Sequence, residues 1–173
     1  MVIRKSVKRE ITALGAFYDR VVRALYKDEN YPKWTYKEYP SHPYVKAMAD
    51  KGALFVCLAD GEIVAAFVLN DDPQGQYENV AWSKPLARGE YMVLHAFAVD
   101  PEMQRRGIGK QVVKYCLSYA KENGYKAVRL DTVPTNIPSR KLYEKCGFSY
   151  RGDVDLGRNL TEIPVFSMYE FNL

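Results

Sequence analysis

The chain has 173 residues, 47% of them apolar and 27% charged, with a formal net charge of +4. That length favours one compact domain, the composition excludes a disordered polyelectrolyte, and the small positive charge favours an anionic ligand while falling short of a nucleic-acid-binding signature. The longest apolar runs, residues 53–59 and 63–69, are seven residues each against about 20 for a bilayer span, so no membrane partner is expected.

Arg4, Lys5, Lys8 and Arg9 are not followed by the apolar stretch of a secretory signal, and a cytoplasmic location is the expectation. Cys57, Cys116 and Cys146 are odd in number, lack a C-x-x-C spacing, and have only His42 and His95 to join them at a zinc ion. They read as reduced, mostly buried thiols, with no metal. Glycines and prolines are scattered, with no repeat or linker, so residues 1–173 are expected to form a single domain.

In chain order, Ile11, Leu14, Phe17 or Tyr18, Val21, Val22 and Leu25 recur at the spacing of an amphipathic helix over 11–25. Residues 31–40 are rich in aromatics and proline and predict an irregular segment. It is either a lid packed on the core or a substrate-lining loop carrying Trp34 and Tyr39. A short helix over 44–51 closes at Gly52. Strands 53–59 and 62–70 flank Asp60-Gly61, a two-residue hairpin signal. Residues 70–89 predict a long polar connection anchored by Trp82. The nearly continuous apolar run 91–99 predicts a strand buried on both faces.

Ile108, Val112, Val113, Cys116, Leu117 and Ala120 form the stripe of a helix over 107–122, stopped by Asn123-Gly124. A strand over 126–133, a helix over 136–146 and strands over 148–155 and 164–171 complete the chain. The order α, α, β, β, β, α, β, α, β, β predicts an α/β or α+β three-layer architecture around a mixed sheet.

The most informative stretch is 99–110, where a buried strand passes through a basic, glycine-containing turn into a helix. N–H groups at a helix start, reinforced by its dipole, form an anion site, and glycines let a phosphate approach the backbone. Arg105 and Arg106 add positive charge there. Gln104 stands where a Walker A loop needs glycine, and Val112 where a dinucleotide fingerprint needs its third glycine. The two glycines alone are equally compatible with a tight turn that holds nothing.

Gln104-x-x-Gly107-x-Gly109 after an apolar strand resembles the acetyl-CoA signature Q/R-x-x-G-x-G/A of the GNAT superfamily of acetyltransferases. Downstream, Asn136-Ile-Pro-Ser139-Arg140-Lys-Leu-Tyr143-Glu-Lys-Cys-Gly147-Phe148 resembles its second landmark, N-x-x-A/S-x-x-x-Y-E-K-x-G-F. The Trp34 to Pro40 loop, Trp82 and Leu94-His95 are similar to features of small bacterial members. Val133 stands where related chains often carry histidine, which weakens any role for a second catalytic histidine. The resemblance covers essentially the whole chain and implies a mixed, mostly antiparallel, twisted sheet with splayed central strands, flanked by helices.

It also implies acetyl-CoA as cofactor. The backbone at Phe97, Ala98 and Val99 would pair with the pantetheine arm, and Gln104, Arg105, Arg106, Gly107, Ile108, Gly109 and Lys110 would hold the pyrophosphate. Asn136 would bond the arm, Tyr143 would approach the thioester sulfur, and Ser139 and Arg140 share their helix face, with Arg140 in reach of a phosphate.

Attack of a neutral amine on the thioester needs a base, an N–H donor for the oxyanion and a donor for the thiolate. Tyr143 suits the last role, and the N–H of Val99 or its neighbour the second. For the base, His95 comes first, with a buried, hydrogen-bonded histidine as the alternative. Asp131 acts through water, orients the amine or forms a structural ion pair, and Glu90 ranks third. The implied activity is N-acetylation of a primary amine on a small molecule or peptide. A non-catalytic acyl-CoA-binding module is the alternative. Trp34, Tyr39 and Trp82 offer aromatic faces to a cationic acceptor or pack the core, and a homodimer is the default assembly.

Overall fold

The computed structural model describes residues 1–173 and begins with a strand absent from the sequence-based expectation. β1 (Val2–Lys5) pairs antiparallel with β2 (Leu54–Ala59), Ile3 opposite Cys57 and Lys5 opposite Phe55. Two of its four residues are Arg4 and Lys5, and it lies at the end of the strand order, where charge discourages further strand pairing. Arg4 grips Glu10 with Nη2 2.6 Å from Oε1, and Glu10 Oε2 also accepts from Val7 N–H at 2.9 Å. That carboxylate ties the strand to the start of α1 (Ile11–Leu25).

The remaining elements follow the predicted order. They are α2 (His42–Asp50), β2, β3 (Glu62–Asn70), β4 (Tyr91–Val99), α3 (Ile108–Glu122), β5 (Ala127–Thr132), α4 (Ile137–Lys145), β6 (Ser149–Val154) and β7 (Phe166–Asn172). α2 starts two residues earlier than predicted because Ser41 Oγ accepts from Tyr44 N–H at 3.2 Å and Pro43 sits in the first turn, where its missing N–H costs nothing. Asp60 and Gly61 take φ of 52° and 85°, the two left-handed residues of the predicted hairpin turn.

The strands form a seven-stranded mixed sheet in the order β1-β2-β3-β4-β5-β7-β6. β4 and β5 run parallel, while β1–β2, β2–β3, β5–β7 and β6–β7 are antiparallel. The chain divides into two compact units, Met1–Leu69 with His95–Val112 and Asn70–Leu94 with Val113–Leu173, so β4 gives its second half to one and its first half to the other.

In the first unit, Leu14, Phe17, Tyr18 and Val21 of α1 pack with Val45 and Met48 of α2 and with Leu54, Val56, Ala66 and Val68. Each large apolar side chain so buried contributes about 1.5 to 3 kcal/mol. The 31–40 segment packs on this core. Trp34, Tyr39 and Tyr44 touch it, and rings follow one another at centroid distances of 6.3 Å (Tyr18–Trp34), 5.9 Å (Trp34–Tyr39) and 5.1 Å (Tyr39–Tyr44).

In the second unit, Tyr91–Leu94 pairs with Ala127–Leu130, and β5 pairs on its other side with β7, Asp131 opposite Met168. Tyr77, Tyr91, Val93, Val133, Leu156, Phe166 and Met168 form its core. Trp82 anchors the long connection, its Nε1–H donating to the Tyr77 carbonyl at 2.8 Å. Arg129 is buried, its guanidinium 4.3 Å from the Trp82 ring and 4.1 Å from the Tyr91 ring while donating to the Lys84 carbonyl at 2.9 Å. Glu170, equally buried, lies 3.8 Å from Arg129 Nε and accepts from Ser83 N–H at 2.8 Å. Cation–π contact and hydrogen bonds offset the desolvation of that charge pair.

Candidate active site

Within the first unit, β4 leaves its regular path at Ala96, a non-glycine residue at φ 45°. Its carbonyl accepts from the Tyr18 hydroxyl at 2.8 Å, and both groups are buried. His95 is buried beside it, Phe97 is half-buried with its ring edge-on to Phe67 at 6.3 Å, and Ala98 is buried. The strand ends on Val99, and the N–H of the following Asp100 donates to the Val64 carbonyl at 2.9 Å. The Asp100 side chain accepts from Glu102 N–H at 3.0 Å and from Arg20 Nη2 at 2.7 Å. These bonds fix the exit direction of the chain into the 101–107 turn.

That turn presents Gln104, Arg105, Arg106 and Gly107 to solvent. Arg105 and Gly107 take φ of 62° and 80°, and beyond its two chain neighbours no atom lies within 4 Å of where a Gly107 Cβ would stand. Ile108 is buried as α3 begins, and Gln111 N–H makes a helical bond to the Gly107 carbonyl at 3.2 Å. Helix geometry leaves the N–H groups of Ile108, Gly109 and Lys110 without intrahelical acceptors. Open space at a left-handed glycine, unpaired helix-start amides and two neighbouring guanidinium groups fit a pyrophosphate.

In the second unit, Asn136 caps α4. Its Oδ1 accepts from Ser139 N–H at 3.4 Å, and its Nδ2 donates to Thr132 Oγ1 at 3.1 Å. The first bond caps the helix backbone, the second ties the amide to the Thr132 side chain at the end of β5, and Asn136 is buried. Tyr143 is buried on the same helix against Phe148 and Tyr169, ring centroids 5.9 Å and 6.0 Å away. Burial, with the nearby Cys116, Asp131, Cys146 and Tyr169 adding to it, pushes its phenol well above the ordinary range. Arg140 has a structural assignment that its sequence context did not reveal. Nε donates to the Tyr169 hydroxyl at 3.0 Å, Nη1 to the Pro134 carbonyl at 3.0 Å, and the guanidinium lies 5.5 Å from the Tyr150 ring.

Asp131 takes the ion-pair alternative. Arg158 binds both its oxygens and Tyr77 O–H donates to Oδ1 at 2.7 Å. Glu90 is held by Lys126 and by Ala87 N–H at 2.7 Å, and the Lys126 bond draws its carboxyl below the usual range. Cys57 and Cys116 are buried free thiols, and burial raises both above the ordinary thiol range, which suits neither to nucleophilic attack. Tyr18, Tyr77 and Arg158 had no motif to mark them. Only the position of Tyr18 in the helix stripe signalled burial, and nothing local signalled the other two.

The model of the acetyltransferase (GNAT) family matches residues 19–148, and the chain belongs to that family. An acetyltransferase of the family from Streptococcus agalactiae superposes with a TM-score of 0.78 at 19% identity, covering 99% of this chain and 95% of that one. An uncharacterized N-acetyltransferase of Methanocaldococcus jannaschii is 25% identical over 150 residues, which are 84% of this chain and 59% of its own length. An aminoglycoside N(6')-acetyltransferase of Salmonella typhimurium is 29% identical over 100 residues, 58% of this chain and 64% of its own. The chain therefore spans about three fifths of the lengths of these two relatives. No helix is long and apolar enough to cross a membrane.

Proposed function

We propose that residues 1–173 act as one cytoplasmic catalytic domain, an acetyl-CoA-dependent N-acetyltransferase. It moves the acetyl group to a primary amine of a small molecule or peptide by direct attack in a ternary complex. The observation that carries this reading is the exposed turn at Gly107, left-handed and open where a Cβ would stand, at the start of α3. Acetyl-CoA supplies the activated thioester. The N–H groups of the 104–110 turn, with Arg105 and Arg106, hold its pyrophosphate, and the backbone at Phe97, Ala98 and Val99 receives its pantetheine arm. Asn136 and Ser139 shape the first turn of α4 by their cap, and Asn136 bonds the arm. Arg140 is left to its bonds with Tyr169 and Pro134.

His95 takes a proton from the ammonium form of the acceptor, directly or through water. An alkyl amine near pKa 10.4 is mostly protonated at pH 7, so this step comes before attack. Asp131 is left out of the base role because both its oxygens are engaged. Tyr143 donates a hydrogen bond to the departing sulfur. Its phenol is held above the ordinary range, and a thiol titrates near 8.5, so Tyr143 stabilises the thiolate while keeping its own proton. Trp34 and Tyr39 offer ring surface to the acceptor. Trp82 is the weaker candidate, one ring face already carrying Arg129. The aminoglycoside substrate class of the Salmonella relative falls within this amine class.

The test is release of free thiol from acetyl-CoA against a panel of amines, with Tyr143→Phe alongside. Amine-dependent release that drops at least about tenfold in the variant supports the reading. Saturable cofactor binding with no release for any amine favours a non-catalytic acyl-CoA-binding module.

A further inference from the structure

Tyr18 and Ala96 are 78 positions apart, and the buried hydroxyl of the first donates to the carbonyl of the second at 2.8 Å. The aim of that hydroxyl is fixed. Tyr18 is fully buried, with Phe17 and Trp34 edge-on to its ring at centroid distances of 5.5 Å and 6.3 Å. Ala96 sits at φ 45° inside a strand. A residue with a Cβ is disfavoured there and persists only where its surroundings impose the conformation. Tyr18 is the side chain seen to hold that carbonyl.

A trans peptide is planar, with the C=O of one residue and the N–H of the next pointing in opposite directions. Whatever aims the Ala96 carbonyl therefore aims the Phe97 amide the other way. We propose that Tyr18 is a positioning residue of the acetyl-transfer site. By holding the Ala96 carbonyl toward α1, it turns the Phe97 N–H away from α1 and presents it as the donor to the thioester oxygen as negative charge develops there. This rests on the acetyltransferase reading and sharpens it, moving the oxyanion donor from Val99 or its neighbour to Phe97. A preset donor costs no reorganisation at the moment of reaction.

The test uses the full chain with an accepted amine. Tyr18→Phe keeps the ring and removes the hydroxyl. Its kcat is expected to fall about tenfold with the KM for acetyl-CoA within about twofold, as loss of orientation without loss of binding requires. Adding Ala96→Gly to Tyr18→Phe is expected to restore kcat to within about threefold of the starting protein, because glycine enters the left-handed region without penalty. Simple loss of packing would not be rescued in this way. A wild-type kcat in Tyr18→Phe, or a double variant no faster than the single, overturns the proposal.

Should Tyr18→Phe fail to fold, the Phe97 amide resonance of the unmodified protein decides. It is expected to move further with acetyl-CoA than with CoA, and equal movement overturns the assignment. A chain that turns over no amine yet shows the acetyl-specific movement overturns the acetyltransferase reading alone and leaves the placement of Phe97 standing.

Discussion

Arg158 meets Asp131 with two parallel bonds, Nη1 to Oδ2 at 2.8 Å and Nη2 to Oδ1 at 2.7 Å. Arg158 Nε also donates to the Gln74 carbonyl at 2.8 Å, and the guanidinium lies 4.4 Å from the Phe166 ring. One side chain thus joins the 155–165 loop, the 70–90 connection and β5 inside the second unit. Arg158→Met is expected to lower the unfolding free energy by about 2 kcal/mol, less than a fully buried pair because the arginine keeps some solvent contact. Asp131→Asn is expected to lose similar stability but less than about fivefold in kcat, a loss well short of that for removing a general base. Urea unfolding and turnover on the same samples separate the two. A thousandfold loss of kcat in a folded Asp131→Asn protein would put the carboxylate in the proton transfer.

Tyr18, Tyr77 and Tyr143 are raised above the ordinary phenol value of 10.0, with burial the first cause for each. Folded phenols that hold their protons more tightly than unfolded ones stabilise the protein fully below the unfolded value, and that contribution is lost as pH rises through the folded ones. Stability is therefore expected to be flat with respect to these groups up to about pH 10 and to fall above it, by up to about 1.4 kcal/mol per pH unit for each phenol. Tyr143→Phe is expected to make the decline shallower. Unfolding midpoints from pH 8 to 11.5 supply the check, and an unchanged slope in the variant would remove Tyr143 from the account.

Gly107→Ala tests the turn before α3. At φ 80° a methyl group meets no atom within 4 Å beyond its two chain neighbours, so the cost to folding is conformational only, about 1 kcal/mol. The methyl group would occupy the space that the proposed function gives to a phosphate. The KM for acetyl-CoA is expected to rise at least about fivefold with a small change in thermal midpoint, the loss of close backbone approach being local to the bound anion. Calorimetric titration with CoA measures the same loss without turnover. Unchanged affinity would place the pyrophosphate elsewhere.

What could be read from the sequence depended on how local the cause was. Asp60-Gly61 specifies its turn by its own backbone preferences, and the stripe from Ile108 to Ala120 specifies its helix by spacing, so both appeared where expected. β1 has four residues, two of them charged, and is a strand only because β2 supplies its hydrogen bonds. Arg129 interrupts an apolar run and would ordinarily be assigned to the surface. Its burial depends on Trp82, 47 positions earlier, and Glu170, 41 later. At the site, the 104–110 turn was legible because strand, glycines and helix start adjoin in the chain. The Tyr18 bond to Ala96 was not, since a carbonyl has no sequence signature and its donor lies 78 residues away.

The tryptophans are distributed one to each unit. Trp34 stands among Tyr18 and Tyr39 in the first, and Trp82 lies against the Arg129 guanidinium in the second. With only two in the chain, removing either leaves a single tryptophan in a known setting, one wrapped in aromatic rings and the other facing a cation. Emission from the two single-tryptophan proteins thus gives each half of the molecule its own optical channel, with no dye attached.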